Sequence, residues 1–203
     1  MSFSTYKTAR AVVKDFQIVY GEAIFVVENP LTINSYFQEN LEEFIRDGVV
    51  DNSEYAICEN LIAPVLKEVW RSYKKDFLLW SHENFRYDDR LCGVPDYILA
   101  KRSPLGKIVL DQPYLMIVEA KQDNFDEGWA QCLAAMVAAQ RMNNQPQVVF
   151  GIVSNGEIWE FGQLNTNQFT KNSIIYPLQS LHRLFAALNN VFTQCQLQLE
   201  QAP

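Results

Sequence analysis

The chain has 203 residues, 48% of them apolar, and a formal net charge of −7. That is enough for one sizeable core and fits one domain better than two; the acidic balance argues at first against nucleic acid as a partner. No apolar run reaches the length of a membrane span, and Met1-Ser2-Phe3-Ser4-Thr5 lacks a signal-peptide core, so a soluble, cytoplasmic protein with no membrane partner is expected.

Residues 1–50 read as a small lead-in unit. Residues 11–27 are mostly apolar, and 17–27 have the pattern of one or two strands broken at Gly21 and ended by Asn29-Pro30. A helix is expected over 32–47, with Thr32 as N-cap, Gly48 past its last turn, and a stripe of Tyr36, Phe37, Leu41, Phe44 and Ile45. Asp51 or Ser53 caps the next helix, which runs to about residue 73 with Ile57, Leu61, Ile62, Val65 and Val69 as its stripe. Glu54 falls inside that stripe, where a carboxylate is costly unless paired or metal-bound. The plainer account of Glu54 is a first-turn acid favouring the helix dipole. Pro64 predicts a kink near residues 60–64. Cys58, Cys92, Cys132 and Cys195 are far apart and form no Cys-x-x-Cys pair, so neither a disulfide nor a structural zinc site is expected.

Residues 77–80 read as the first strand of the main sheet. Residues 81–92 read as a loop or ragged strand, in which a lone histidine such as His82 is more often neither base nor ligand. Two strands follow, 97–100 and 114–118, joined by a polar connection over 101–113. Antiparallel pairing would set Asp96 opposite Glu119. Glu119 and Lys121 share one side of a strand, because the side-chain period is two. Asp96, Glu119 and Lys121 should thus converge at one sheet margin. Residues 67–107 also carry nine Lys or Arg against six acids, a net of +3, while the rest of the chain carries −10. Those basic residues surround the convergence point in sequence, where a phosphate backbone would need them.

Residues 127–141 form a strong helix, with Trp129, Leu133, Met136, Val137 and Gln140 at helical spacing and five alanines for close packing. Gln131 lies near its start and could reach back toward the strand end. Residues 147–153 and 158–161 read as a strand pair around Asn155-Gly156, a strong hairpin signal. A polar loop, a short extended piece at 174–177 and a last helix over 180–199 complete the chain. The order predicts an α/β domain with a mixed sheet flanked by helices, and a parallel strand–helix–strand unit over 114–153.

Two carboxylates on adjacent strands, with the carbonyl of Ala120 between Glu119 and Lys121, make an all-oxygen donor set of the kind that Mg²⁺ or Mn²⁺ prefers. A lysine pointing at the same cavity can orient or deprotonate a water, or neutralise charge on a phosphate. A bare Glu-x-Lys is more often a structural ion pair. Here Pro95-Asp96 at a strand start, Glu119-Ala120-Lys121 at the end of an apolar strand, and an alanine-rich helix with Gln131 resemble the PD-(D/E)XK nuclease superfamily, the restriction-endonuclease-like fold. The Ser53-Glu54 helix looks like the first helix of that core. The run Gly151-Ile152-Val153-Ser154-Asn155-Gly156, followed by Trp159 and Phe161, is similar to a strand pair in nuclease domains of type I restriction subunits and related bacterial proteins.

The resemblance covers residues 51–165, leaving 1–50 as an N-terminal extension and 166–203 as a C-terminal helical segment. It implies that Asp96, Glu119 and the Ala120 carbonyl bind Mg²⁺ or Mn²⁺, that Lys121 is the catalytic lysine, that Glu54 completes or orients the metal site, and that Gln131 is a polar helix residue near it. One departure is Ala135, where the helix motif often carries an aromatic. A metal-dependent nuclease acting on nucleic acid, with DNA endonuclease activity foremost, is the leading expectation, and sequence specificity would need a partner or a dimer. The alternatives are a catalytically silent nuclease-fold module that binds nucleic acid or a partner protein, and a homodimeric scaffold whose interface is the apolar N-terminal unit.

Overall fold

All six residues of the strand Val149–Ser154 and the last seven of Leu110–Ala120 are buried. Strands with no wet face need cover on both sides, and the helices supply it. The computed structural model describes residues 2–143 and 146–201. In chain order these hold α1 (Ala9–Phe16), β1 (Val19–Ala23), α2 (Ser35–Asp47), α3 (Glu54–Ile57), a π-helical turn (Cys58–Ile62), α4 (Ala63–Tyr73), β2 (Phe77–Ser81), β3 (Phe85–Arg86), β4 (Cys92–Gly93), β5 (Tyr97–Arg102), β6 (Leu110–Ala120), α5 (Phe125–Met142), β7 (Val149–Ser154), β8 (Ile158–Asn165), β9 (Gln168–Asn172), β10 (Tyr176–Pro177) and α6 (Leu181–Glu200).

The main sheet is mixed, in the order β1-β9-β8-β7-β6-β5-β2, with β10 beside β8. The pairs β6–β7 and β1–β9 are parallel, and β3–β4 form a separate ribbon. Helix α5 connects β6 to its parallel neighbour β7, as the strand–helix–strand reading requires. One core packs α1 and α5 against the sheet through Val12, Trp129, Leu133, Met136, Ile98 and Ile117. The other packs α3, α4 and α6 through Ile57, Leu66, Val69, Leu184, Phe185 and Phe192, against Leu99, Val118 and Ala120. The fold class is therefore the expected one, a mixed α/β sheet flanked by helices.

Several details differ from expectation. The segment 9–16 is helical, a short amphipathic turn pair that the apolar run over 11–27 concealed. Gly21 does not break β1; a side chain there would meet nothing within 4 Å. Residues 168–172, read as loop, form β9, whose one apolar residue, Phe169, is buried. Because β1 pairs with β9 and β9 with β8, the sheet draws strands from both sides of residues 50 and 165. Asn34, not Thr32, caps α2, accepting from Tyr36 N at 2.9 Å and Phe37 N at 3.4 Å. Ser53, not Asp51, caps α3, accepting from Ala56 N at 3.1 Å. The kink at Pro64 takes the form of the π turn, in which the Ala63 N–H reaches back five residues to the Cys58 carbonyl. A proline cannot donate the next helical bond, and the widened turn accommodates its ring. At the β7–β8 hairpin Gly156 takes the first central position (φ +85°), and Asn155 instead accepts from Glu157 N and Ile158 N at 3.1 and 2.8 Å.

Asn172 ties the segment after β1 to the sheet. Its Oδ1 accepts from Phe25 N at 3.0 Å and Val26 N at 3.1 Å, and its Nδ2 donates to the Ile174 carbonyl at 2.7 Å. The residue is 2% exposed. Asn172→Leu strands two backbone donors away from water, so equilibrium urea unfolding should show a loss of about 3 kcal/mol.

Candidate functional site

The site follows from the register of one hairpin. Tyr97 pairs with Val118 and Ile98 with Ile117, so the next positions outward are Asp96 and Glu119. Both project to the side of the sheet occupied by Ile98 and Ile117, under the first turn of α5. Asp96 lies just before β5, where Pro95 cannot donate to a ladder. Its carboxylate continues the ladder instead: Oδ2 accepts from Ala120 N at 2.7 Å. Ala120 thus turns its amide toward Asp96, and its carbonyl, from the same residue of an extended strand, faces the same side.

Glu119 is 5% exposed and shares a hydrogen bond with Asp96. Burial pushes its carboxyl well above the usual carboxylate range, and the charge of Asp96 pushes it further; the Lys121 ammonium offsets only part of this. Two carboxyls in contact in a dry site keep a proton between them. A cation can take that proton's place, which is the chemistry of an oxygen donor set suited to a hard divalent ion. Asp96, Glu119 and the Ala120 carbonyl fit Mg²⁺ or Mn²⁺ on that ground.

Lys121 leaves the sheet after its backbone N–H donates to the Ser154 carbonyl at 3.0 Å. Its Nζ then donates to Glu54 Oε1 at 2.8 Å; the two side chains are 13% and 44% exposed. Burial alone would lower the lysine pKa. The bond to Glu54 and the charges of Glu119, Glu54 and Asp96 outweigh it, and the net shift is upward. Lys121 is therefore a held cation rather than a free base. Helix α5 presses on its stem: a Cβ on Gly128 would come within 3.0 Å of Lys121 Cγ and 2.6 Å of Val153 Cγ1. Glu54 is neither buried on the apolar stripe nor merely a dipole acid; the Ser53 cap fixes the first turn from which it reaches Lys121.

Gln131 lies apart. Its amide donates to Glu127 Oε1 at 3.2 Å, the oxygen that also takes Lys7 Nζ at 2.7 Å. Among the described residues, no hydrogen bond joins Gln131 to Asp96, Glu119 or Lys121. The basic excess is also arranged differently from the linear sequence. Lys101 and Arg102 sit at the opposite end of β5 from Asp96, roughly 20 Å away at the rise of a strand. Arg102 Nε donates to the Lys74 carbonyl there, and Lys75 lines the same hollow. Arg86 and Arg90 are bound to Asp89 and Asp15. Lys67 is the one of the nine that lines the cavity of about 320 Å³ beside His82.

Two residues that sequence reasoning passed over are at the site. His82 follows β2, which is antiparallel to β5 with Ser81 opposite Tyr97. Its N–H donates to the Asp96 carbonyl at 3.0 Å, and its Nε2 lies 3.3 Å from Asp96 Oδ1. Cys58, in the π turn, presents its thiol to the same carboxylate. The cue for His82 lies in the β2–β5 pairing, which ends β2 beside Asp96.

No protein-family model matches the chain, and no curated protein does. Among solved structures the chain is similar to the type IIG restriction endonuclease BpuSI, with a TM-score of 0.45 and 18% sequence identity. The match covers 70% of this chain and 16% of that chain, so the chain spans a small part of that protein's length.

Proposed function

We propose that the protein is a metal-dependent phosphodiester hydrolase of nucleic acid, a DNA endonuclease with a PD-(D/E)XK site. The observation that carries this reading is the contact of Asp96 with Glu119 at a sheet margin, with Lys121 two residues on and held by Glu54. Asp96, Glu119 and the Ala120 carbonyl would hold Mg²⁺ or Mn²⁺. Such an ion, when bound, lowers the pKa of water and stabilises charge on the phosphate. The chain's own part is positional and electrostatic. Lys121, charged and pinned between Glu54 and the stem contact at Gly128, presents an ammonium to a non-bridging phosphate oxygen. Glu54 is the positioning residue for Lys121. Burial of Glu119 keeps the carboxyl pair out of bulk water until a cation is available.

The test is incubation of the full chain with supercoiled, linear and single-stranded DNA and with RNA, in Mg²⁺ or Mn²⁺. Cleavage of DNA that EDTA abolishes and Mn²⁺ restores is expected. If every substrate stays intact in both metals, the hydrolase reading is overturned. Mn²⁺ binding without cleavage would leave a silent nuclease-fold module.

A further inference from the structure

Asp96 has a second neighbourhood besides Glu119. One ligand atom from each of Cys58, His82 and Asp96 lies within 4.8 Å of the other two. They come from three separate places: the π turn, the end of β2 and the start of β5. We infer that Cys58, His82 and Asp96 form a binding site for a thiophilic divalent transition metal such as Zn²⁺, separate from the hard-ion site but sharing Asp96.

Three features support it. First, the donor set is mixed. A thiolate, an imidazole and a carboxylate select Zn²⁺ or Co²⁺ over Mg²⁺, which prefers oxygen alone. Second, the histidine is oriented. Nδ1 is hydrogen-bonded to Ser81 Oγ at 2.8 Å, which leaves Nε2 directed at Asp96 Oδ1. A second partner that fixes the ring is the usual support of a metal-bound histidine. His82 also holds a left-handed backbone (φ 51°), which is costly for a residue with a Cβ. Third, the site opens to solvent. Cys58 and His82 line the cavity of about 320 Å³ with Tyr55, Lys67 and Tyr97, which leaves room for a fourth, exchangeable ligand.

The electrostatics also balance. On binding, the sulfur–metal bond forms as the thiol proton passes to buffer, as a coordinating thiol requires. One thiolate and one carboxylate then neutralise the divalent ion, with His82 neutral. The π turn places the sulfur: the Cys58 carbonyl accepts from both Ala63 N–H and Tyr97 Oη, the latter at 3.0 Å, which locks that backbone to the first residue of β5. Because Asp96 is shared, Zn²⁺ bound here should inhibit Mg²⁺-supported cleavage; that corollary alone rests on the hydrolase reading.

Co²⁺ titrated into the full chain is the direct test, because a cobalt–thiolate bond gives a near-ultraviolet charge-transfer band whether or not the protein cleaves anything. The band should saturate at one equivalent and be displaced by Zn²⁺. Cys58→Ser should abolish it, and His82→Gln, at a partly exposed position, should weaken Co²⁺ binding at least tenfold. Ser81→Ala should cost about tenfold, as outer partners of metal ligands do. Cys92→Ser, Lys121→Met and Glu119→Gln should leave the band in place. Co²⁺ binding without the band, or a band indifferent to both Cys58→Ser and His82→Gln, would overturn the site. Failure of DNA cleavage would leave it standing.

Discussion

Lys121→Met should lower the single-turnover cleavage rate by about 10²–10³-fold at saturating DNA and Mn²⁺, with Mn²⁺ affinity kept. The magnitude is that of removing one preorganised charge aimed at the transition state. It follows from the lysine's surroundings. Its ammonium is bonded to Glu54 Oε1 at 2.8 Å, and it faces three carboxyl groups. Those charges keep it protonated, so it cannot take a proton from water near neutrality. A base role would make the rate rise with pH into the lysine range; a charge role makes the rate flat below that range and lets it fall as the ammonium loses its proton. Methionine keeps the stem that packs against Gly128 and removes only the charge. Glu54→Gln should cost less, about tenfold, because Lys121 loses its tether and keeps its charge. Lys121→Met that cleaves at the wild-type rate would remove the lysine from the mechanism.

The hairpin at 97–118 shows why part of the site was legible. Its two apolar runs end at polar residues, and laying the runs fully alongside one another sets the register. That register carries Asp96 to Glu119 automatically. Lys121 follows from the period of two. Glu54 was visible as an acid on an apolar stripe, but its partner was not, because the helix and β6 are more than sixty residues apart in sequence. The elements that escaped are those with weak local patterns. Strand β9, Gln-Phe-Thr-Lys-Asn, buries one apolar side chain and owes its existence to two neighbours, β1 and β8. The basic residues misled for the complementary reason: Asp96 and Arg102 are close in sequence, and a strand sets them at opposite ends. His82 was hidden in a polar loop whose position only the β2–β5 pairing defines.

Glu119→Gln should lose Mn²⁺ binding by more than the ~10–100-fold typical of outer-shell changes, and with it detectable cleavage. The same substitution should stabilise the metal-free protein. Glu119 is buried against Asp96, and its folded pKa is raised well above its ordinary 4.5. Above about pH 4.5 the unfolded chain releases that proton while the folded chain keeps it. The native state then binds more protons than the unfolded state, so stability falls as pH rises, until the folded carboxyl ionises too. Glutamine cannot ionise, and its amide can donate to Asp96 where the shared proton was. The gain over wild type should therefore be small near pH 5 and grow steadily toward pH 8. Urea unfolding of both proteins across that range measures the difference directly. Excess Mn²⁺ should reverse the order at pH 8, because it stabilises only the protein that binds it. A variant less stable than wild type at pH 8 without metal would mean that the buried carboxyl pair supports the fold. The carboxyl pair would then be a structural contact, and the metal-site reading would lose its physical basis.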